Sequence, residues 1–366
     1  MEGTGRKKLF EYIKTQHGGY HRHEFTDHAY LYNLYFPPSR LISHLKNELV
    51  NLVQNYPVAQ ADLAGLAGHI NGLPADYLVV GNGAAELIKI ICTNIAGRLI
   101  IPVPSFNEYI NAAPPGRAAG FPLDPVSFHL DPERFVREAV STGADTAVIV
   151  SPNNPTSLAV PPEQIQWMAD RFLTANIRLI LDESFIDFSG GGKSMESQLD
   201  RHPNLSVIKS MSKCYGICGL RLGYLATRET GFLKKLRQGV HIWNINGFAE
   251  EFLRLLPGFK EEFNASCDQV INDRDSFFND LSLIPGLNVY RPDANFIFCR
   301  LPEAAPPAGH IVKDLFLKNR ILVKDCSGKD MAEGDRYLRI ASRTPEENKR
   351  FIEAFAATLN PSPEAP

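Results

Sequence analysis

The sequence predicts an α/β protein in which a large unit built on a mostly parallel sheet is joined to a smaller α+β unit. Three observations predict it. Short β-rich runs alternate with longer helical patterns through the middle of the chain; the pattern changes after Ile245 to long helices and then short strands; and chemically active residues follow directly on the β-rich runs. Strands that alternate with helices need crossover connections, so they lie parallel and are covered on both faces. The runs fall at residues 77–80, 98–103, 146–150, 178–181, 206–209 and 223–227. Beyond them, 247–256 and 257–283 read as helices, and 287–290, 295–299, 321–323 and 337–341 as the strands of the smaller unit. The chain thus divides into an N-terminal segment joining the small unit (1–45), the large unit (46–250), the small unit (251–360) and a flexible Pro-rich tail (361–366).

Composition narrows the function. A chain of 366 residues with 44% hydrophobic and 22% charged residues can bury a sizeable core, which excludes wholesale disorder. The 38 Lys and Arg against 41 Asp and Glu leave a formal charge of −3, with no basic excess for a nucleic-acid backbone or an anionic membrane. No apolar run approaches the ~20 residues of a membrane helix. The start MEGTGRKKLFEYIKTQHGG has no apolar signal core, so a cytoplasmic protein is expected, and MEGTG also suits a domain excised from a longer protein. The six cysteines, at 92, 214, 218, 267, 299 and 326, show no CxxC spacing; reduced thiols and no metal are expected. His17, His21, His23 and His28 lack the distant second half of a structural metal site and read mainly as loop or solvated histidines.

In open parallel sheets ligands bind beyond the carboxyl ends of the strands. There the chain places Gly81-Asn82-Gly83-Ala84-Ala85-Glu86, then Pro104-Ser105-Phe106, Ser151-Pro152-Asn153-Asn154-Pro155, Asp182-Glu183-Ser184-Phe185 and Ser210-Met211-Ser212-Lys213. A glycine turn feeding a helix offers free backbone amides to a phosphate, and Ser210, Ser212 and Arg221 complete such a cradle. Lys213 has hydroxyl and arginine neighbours, surroundings that lower an amine's pKa toward its nucleophilic form. A phosphate cradle, a Schiff-base lysine, an aromatic at Phe106 and a lone carboxylate at Asp182 together describe a site for pyridoxal 5'-phosphate.

The stretches SPNNPTS (151–157), LDESFIDF (181–188), SMSKCYGICGLRLGYL (210–225) and YLRIASR (337–343) closely resemble class I/II aminotransferases of the pyridoxal-phosphate fold type I, and within them the histidinol-phosphate aminotransferase and threonine-phosphate decarboxylase group. The resemblance runs from about His17 to Leu359. It implies that Lys213 forms the Schiff base and then shuttles protons, that Asp182 holds the pyridinium proton, and that Asn154 hydrogen-bonds the ring's phenolic oxygen. It implies Phe106 stacked on the ring and Phe185 where most relatives carry a tyrosine. Backbone amides at Gly83, Ala84 and Ala85, with Ser210, Ser212 and Arg221, would bind the cofactor phosphate. Tyr56 would reach that phosphate from the other subunit of a homodimer with shared active sites, and Arg339 would grip the substrate α-carboxylate.

The departures bear on the substrate. Relatives usually carry an Asn-x-Asn-Pro or Asn-Glu-x-Pro stretch where this chain has Leu34-Tyr35-Phe36-Pro37, and phosphorylated-substrate relatives tend to have an arginine where it has Lys324. The resulting expectation is an aminotransferase working between an amino donor and a keto acid, on an amino acid or amine with a phosphate or phosphonate at its far end, where His17 and Lys324 supply positive or donor groups. Its alternative is an amino-acid phosphate decarboxylase, for which His17-Gly18-Gly19, residues 104–109 and Trp243-Asn244-Ile245-Asn246 speak. A third is a regulatory module that binds the cofactor without turnover.

Overall fold

The computed structural model describes residues 2–359; the tail over 361–366 lies outside the described residues. A short strand, β1 (Thr26–His28), precedes the large unit, which carries β2 (Leu78–Asn82), β3 (Leu99–Val103), β4 (Ala118–Pro122), β5 (Thr146–Val150), β6 (Arg178–Asp182), β7 (Leu205–Ser210) and β8 (Leu222–Thr227). The small unit adds β9 (Asn288–Tyr290), β10 (Phe296–Arg300), β11 (Ile321–Asp325) and β12 (Tyr337–Ala341).

The large sheet runs in the order β2-β8-β7-β6-β5-β3-β4. Its strands read as continuous apolar runs because both faces are covered: Val80, Ile149 and Leu181 point into one core, while their neighbours Val79, Val148 and Ile180 point into another on the opposite face. Helices flank it, among them Pro132–Ser141, whose cap residue Asp131 accepts from the Arg134 amide at 3.0 Å. Strand β8 alone runs against its neighbours, β7 and β2. Only one helical turn, Met211–Cys214, separates it from β7, too little for the crossover a parallel return requires. Its amino end therefore lies at the carboxyl ends of the other strands, with Gly223 opposite Ser210 and Leu222 opposite Asn82.

The small sheet runs β1-β11-β12-β10-β9, with β1 parallel to β11 and the remaining pairs antiparallel. Helices Lys260–Ser282, Ala308–Asn319 and Pro345–Leu359 bury Phe277, Leu315 and Phe351 against it. Of the segment over 1–45, Phe10, Ile13 and Ala29 pack in this core, whereas Leu41 and Leu45 pack in that of the large unit. Phe252 and Leu253 likewise belong to the large-unit core, so its packing continues past residue 250. All six cysteines are free, and among the described residues no helix is long and apolar enough to cross a membrane.

Candidate active site

The carboxyl ends of the parallel strands open on a cavity of about 220 Å³. Ala84, Ala85, Phe106, Asn154, Asp182, Phe185, Ser210, Lys213, Arg221 and Arg339 line it, together with Tyr30, Leu31, Val150 and Ser184. Residues scattered over some 310 positions of sequence thus meet because five strand ends, the start of β8, the face of β12 and the segment after β1 converge there.

The turn after β2 forms one wall. Gly83 adopts φ +73°, and a Cβ on it would stand 2.5 Å from Arg221 Nη2, so the guanidinium lies directly on the glycine. A Cβ on Gly223 would come within 2.5 Å of the Ala84 amide nitrogen. Arg221, itself at φ +57°, donates through Nη1 to the Cys218 carbonyl at 3.3 Å and reaches Ser212 Oγ at 3.5 Å. Gly83 and Ser212 therefore shape the cradle through Arg221, while Ala84, Ala85 and Ser210 face the cavity. A cation beside a glycine turn into a helix suits a phosphate.

At the floor, Asp182 is buried and bonded on both oxygens. Ser184 donates to Oδ1 from its amide (3.0 Å) and hydroxyl (2.6 Å), and the fully buried Tyr109 donates to Oδ2 (3.0 Å). Ser184 Oγ in turn accepts from the Ser210 amide at 3.0 Å, tying the ends of β6 and β7 together. Burial raises the pKa of Asp182 against these bonds and the attraction of Lys213. Lys213 has no hydrogen-bond partner for its amine among the described residues. Burial lowers its pKa, with Arg339 and Arg221 acting in the same direction against Cys218 and Asp182.

Arg339, on β12, donates to Asn154 Oδ1 at 2.8 Å and to the Ala29 carbonyl at 2.5 Å, over the ring of Phe296. Because arginine only donates, the Asn154 oxygen faces Arg339 and the amide NH₂ is left to the cavity. No carboxylate pairs with Arg339 among the described residues, and its buried Nε has no partner. Phe106 meets Tyr109 edge to face at 6.4 Å, and Phe185 meets Phe296 in the same way at 5.1 Å.

Five residues singled out in the sequence are not on the cavity lining: Gly83 and Ser212, which act through Arg221, and His17, Lys324 and Tyr56. His17 and Lys324 are exposed, Lys324 opposite Arg339 across the β11–β12 pair. Tyr56 is 77% exposed and stacks on Trp243 with ring centroids 4.3 Å apart. Tyr30, Tyr109 and Ser184 were not anticipated as site residues. Tyr109 and Ser184 do lie within the same short stretches as Phe106 and Asp182, which was the available signal; Tyr30 reaches the cavity through tertiary packing, stacked on Tyr20 at 4.6 Å.

The residues present fit pyridoxal 5'-phosphate: a phosphate cradle, an unpartnered amine, a buried carboxylate for a ring nitrogen, a free amide donor and an aromatic wall. Fold and site together define a pyridoxal-phosphate enzyme of fold type I. The family model for aminotransferase class I and II matches residues 38–355, and the chain belongs to that family. It is 43% identical over 347 residues to a CMP-5'-(3-aminopropyl)phosphonate synthase of Streptomyces rubellomurinus, a match covering 94% of this chain and 54% of that protein; the chain spans about half of that relative's length. It is 28% identical over 345 residues to an L-serine phosphate decarboxylase of Campylobacter jejuni, covering 90% and 87% of the two. A solved decarboxylase from Sulfurospirillum multivorans superposes with a TM-score of 0.83 at 27% identity, covering 98% of this chain and 100% of that one.

Proposed function

We propose that the protein is a pyridoxal-phosphate-dependent decarboxylase of an amino acid bearing a phosphate or phosphonate at its far end. The reading is carried by one juxtaposition, an unpartnered amine at Lys213 and, at Arg339, a part-buried guanidinium that no carboxylate pairs with among the described residues, in a single cavity. The sequence alone favoured transamination, with decarboxylation as the alternative; the relatives shift the preference to the alternative. A 3-aminopropylphosphonate group is what remains when a 2-amino-4-phosphonobutyrate unit loses its α-carboxylate, so the Streptomyces relative speaks for the same reaction as the serine phosphate decarboxylase.

When bound, pyridoxal phosphate supplies an electron sink for the pair left at Cα as a bond to it breaks. Arg339, fixed by Asn154 and Ala29, would orient the α-carboxylate and so select which bond lies perpendicular to the ring. Asp182 would hold the proton at the ring nitrogen, and Lys213 Nζ would deliver to Cα the proton that replaces carbon dioxide. The reaction then balances as one amino acid and one proton to one amine and one carbon dioxide. Incubating the holoenzyme with O-phospho-L-serine or L-2-amino-4-phosphonobutyrate should release one carbon dioxide and one amine per substrate consumed, without keto acid. Accumulating keto acid in place of carbon dioxide would return the assignment to transamination.

The same reading includes a homodimer with shared active sites. Around the Tyr56–Trp243 stack, Val50, Val53 and Ile242 are exposed as well, an apolar patch suited to a second copy of the chain.

A further inference from the structure

A lysine outside the motifs above sits beside the cavity with an unusual set of neighbours. Lys329 lies in the segment that follows β11, in the small unit. Its Nζ donates to the Ser105 carbonyl at 2.6 Å and to Asn107 Oδ1 at 3.0 Å, so it straddles Phe106, a wall of the cavity. Asn107 Nδ2 returns a bond to the Gly328 carbonyl at 3.3 Å.

None of these acceptors is a carboxylate, and no Asp or Glu pairs with Lys329 among the described residues. The charged neighbours acting on it are cations: burial, with repulsion from Arg339 and Lys324, pushes its amine down to about 7. The one opposing group is the buried Cys326 thiol, which burial itself pushes up to about 12 and so keeps neutral. A partly buried ammonium facing other cations is unfavourable until an anion arrives. An ammonium also has three N–H groups; two are used, and the third has no partner among the described residues. A tie between the two loops alone would be served by any neutral donor.

We propose that Lys329 is the specificity-determining residue for the far end of the substrate, its third N–H receiving an oxygen of a phosphate or phosphonate carried by the amino acid held at Arg339. This rests on the reading of the substrate given above but not on the fate of its carboxylate. Lys324, five positions earlier, is exposed and carries neither tie to the Phe106 loop.

The test is a spectral titration of the holoenzyme at pH 6.5 with L-2-amino-4-phosphonobutyrate and with L-2-aminobutyrate, which lacks the phosphonate. The wild type should prefer the phosphonate. Lys329→Gln keeps a donor for Ser105 and Asn107 but loses the charge; it should weaken the phosphonate ligand by about 10- to 100-fold, the size of one charge-assisted contact, and leave aminobutyrate within about threefold. Asn107→Ala removes part of the tie and keeps the ammonium, so it should leave the preference intact. Equal weakening of both ligands by Lys329→Gln, an unchanged preference, or the same loss in Asn107→Ala would overturn the assignment, as would a wild type indifferent to the phosphonate. Should the preference depend on Lys329 while no carbon dioxide is released, the decarboxylase reading fails and this one stands.

Discussion

His28 carries its ring into the core of the small unit, fully buried, with Nδ1 2.8 Å from the Ala341 carbonyl and Nε2 without a partner among the described residues. Burial pushes its pKa down to about 4, and Arg343 adds to this against the Ala341 bond and Glu347. A histidine held neutral in the folded state but free to protonate when unfolded stabilises the fold above pH ~6.5, and that contribution is lost as the pH falls from there toward 4. The window is worth about 3 kcal/mol at its full extent. Comparing urea unfolding of the wild type and His28→Gln at pH 7 and pH 4.5, the advantage of the wild type should shrink by about 2 kcal/mol on acidification. A pH-independent difference would mean that the ring does not stay neutral. At this scale the sequence was legible where a residue's place in the cavity follows from its position at a strand end, as for Lys213, Asp182 and Asn154. It was not legible where the role depends on a partner brought by the fold: nothing in the chain pairs Tyr109 with Asp182 or Lys329 with Ser105.

At the scale of elements, the turn from β2 into helix Ala84–Ile90 illustrates how a single backbone conformation shapes a binding surface. Gly83 has φ +73° and ψ 163°, a region closed to residues with a Cβ, and any Cβ there would also meet the Arg221 guanidinium. Gly83→Ala should therefore displace Arg221 and weaken cofactor binding by at least about tenfold, alongside a backbone cost of roughly 1–3 kcal/mol. Titrating the apoenzyme with pyridoxal phosphate checks this; unchanged affinity would remove Gly83 and Arg221 from the phosphate cradle. The buried strands of the large sheet were legible as apolar runs, since both faces demand the same kind of side chain. Strand β4 was not: reading AAGFP, it sits at the sheet edge with β3 as its only partner, where neither burial nor β-propensity marks it. Strand β1, three residues of TDH, escapes for the same reason.

At the scale of the whole molecule, the Tyr56–Trp243 stack is exposed on a single subunit, and the shared site proposed above would give it a role. Mixing Tyr56→Ala and Lys213→Ala proteins should restore part of the activity that each lacks alone, because a hybrid dimer can contain one site with both residues intact. A fully active monomer by light scattering would reject the shared site. The division into two units was legible from the change of pattern after Ile245, but their membership was not, since packing assigns Leu41 to one core and Ala29 to the other across a few residues of chain. The parallel pairing of β1 with β11 sets Thr26 beside Ile321. On a ribosome adding about 5–20 residues per second, β1 is complete roughly 15–60 s before its partner strand exists. For about the last third of that interval, once β8 is complete, the large unit has every strand it needs to fold, whereas the early segment that supplies Tyr30 and Leu31 to the cavity still has no sheet to join. The wall of the site that they form, together with Arg339 from β12, is thus the last to be assembled, and a nascent chain is able to close the core of its large unit before the cavity is complete.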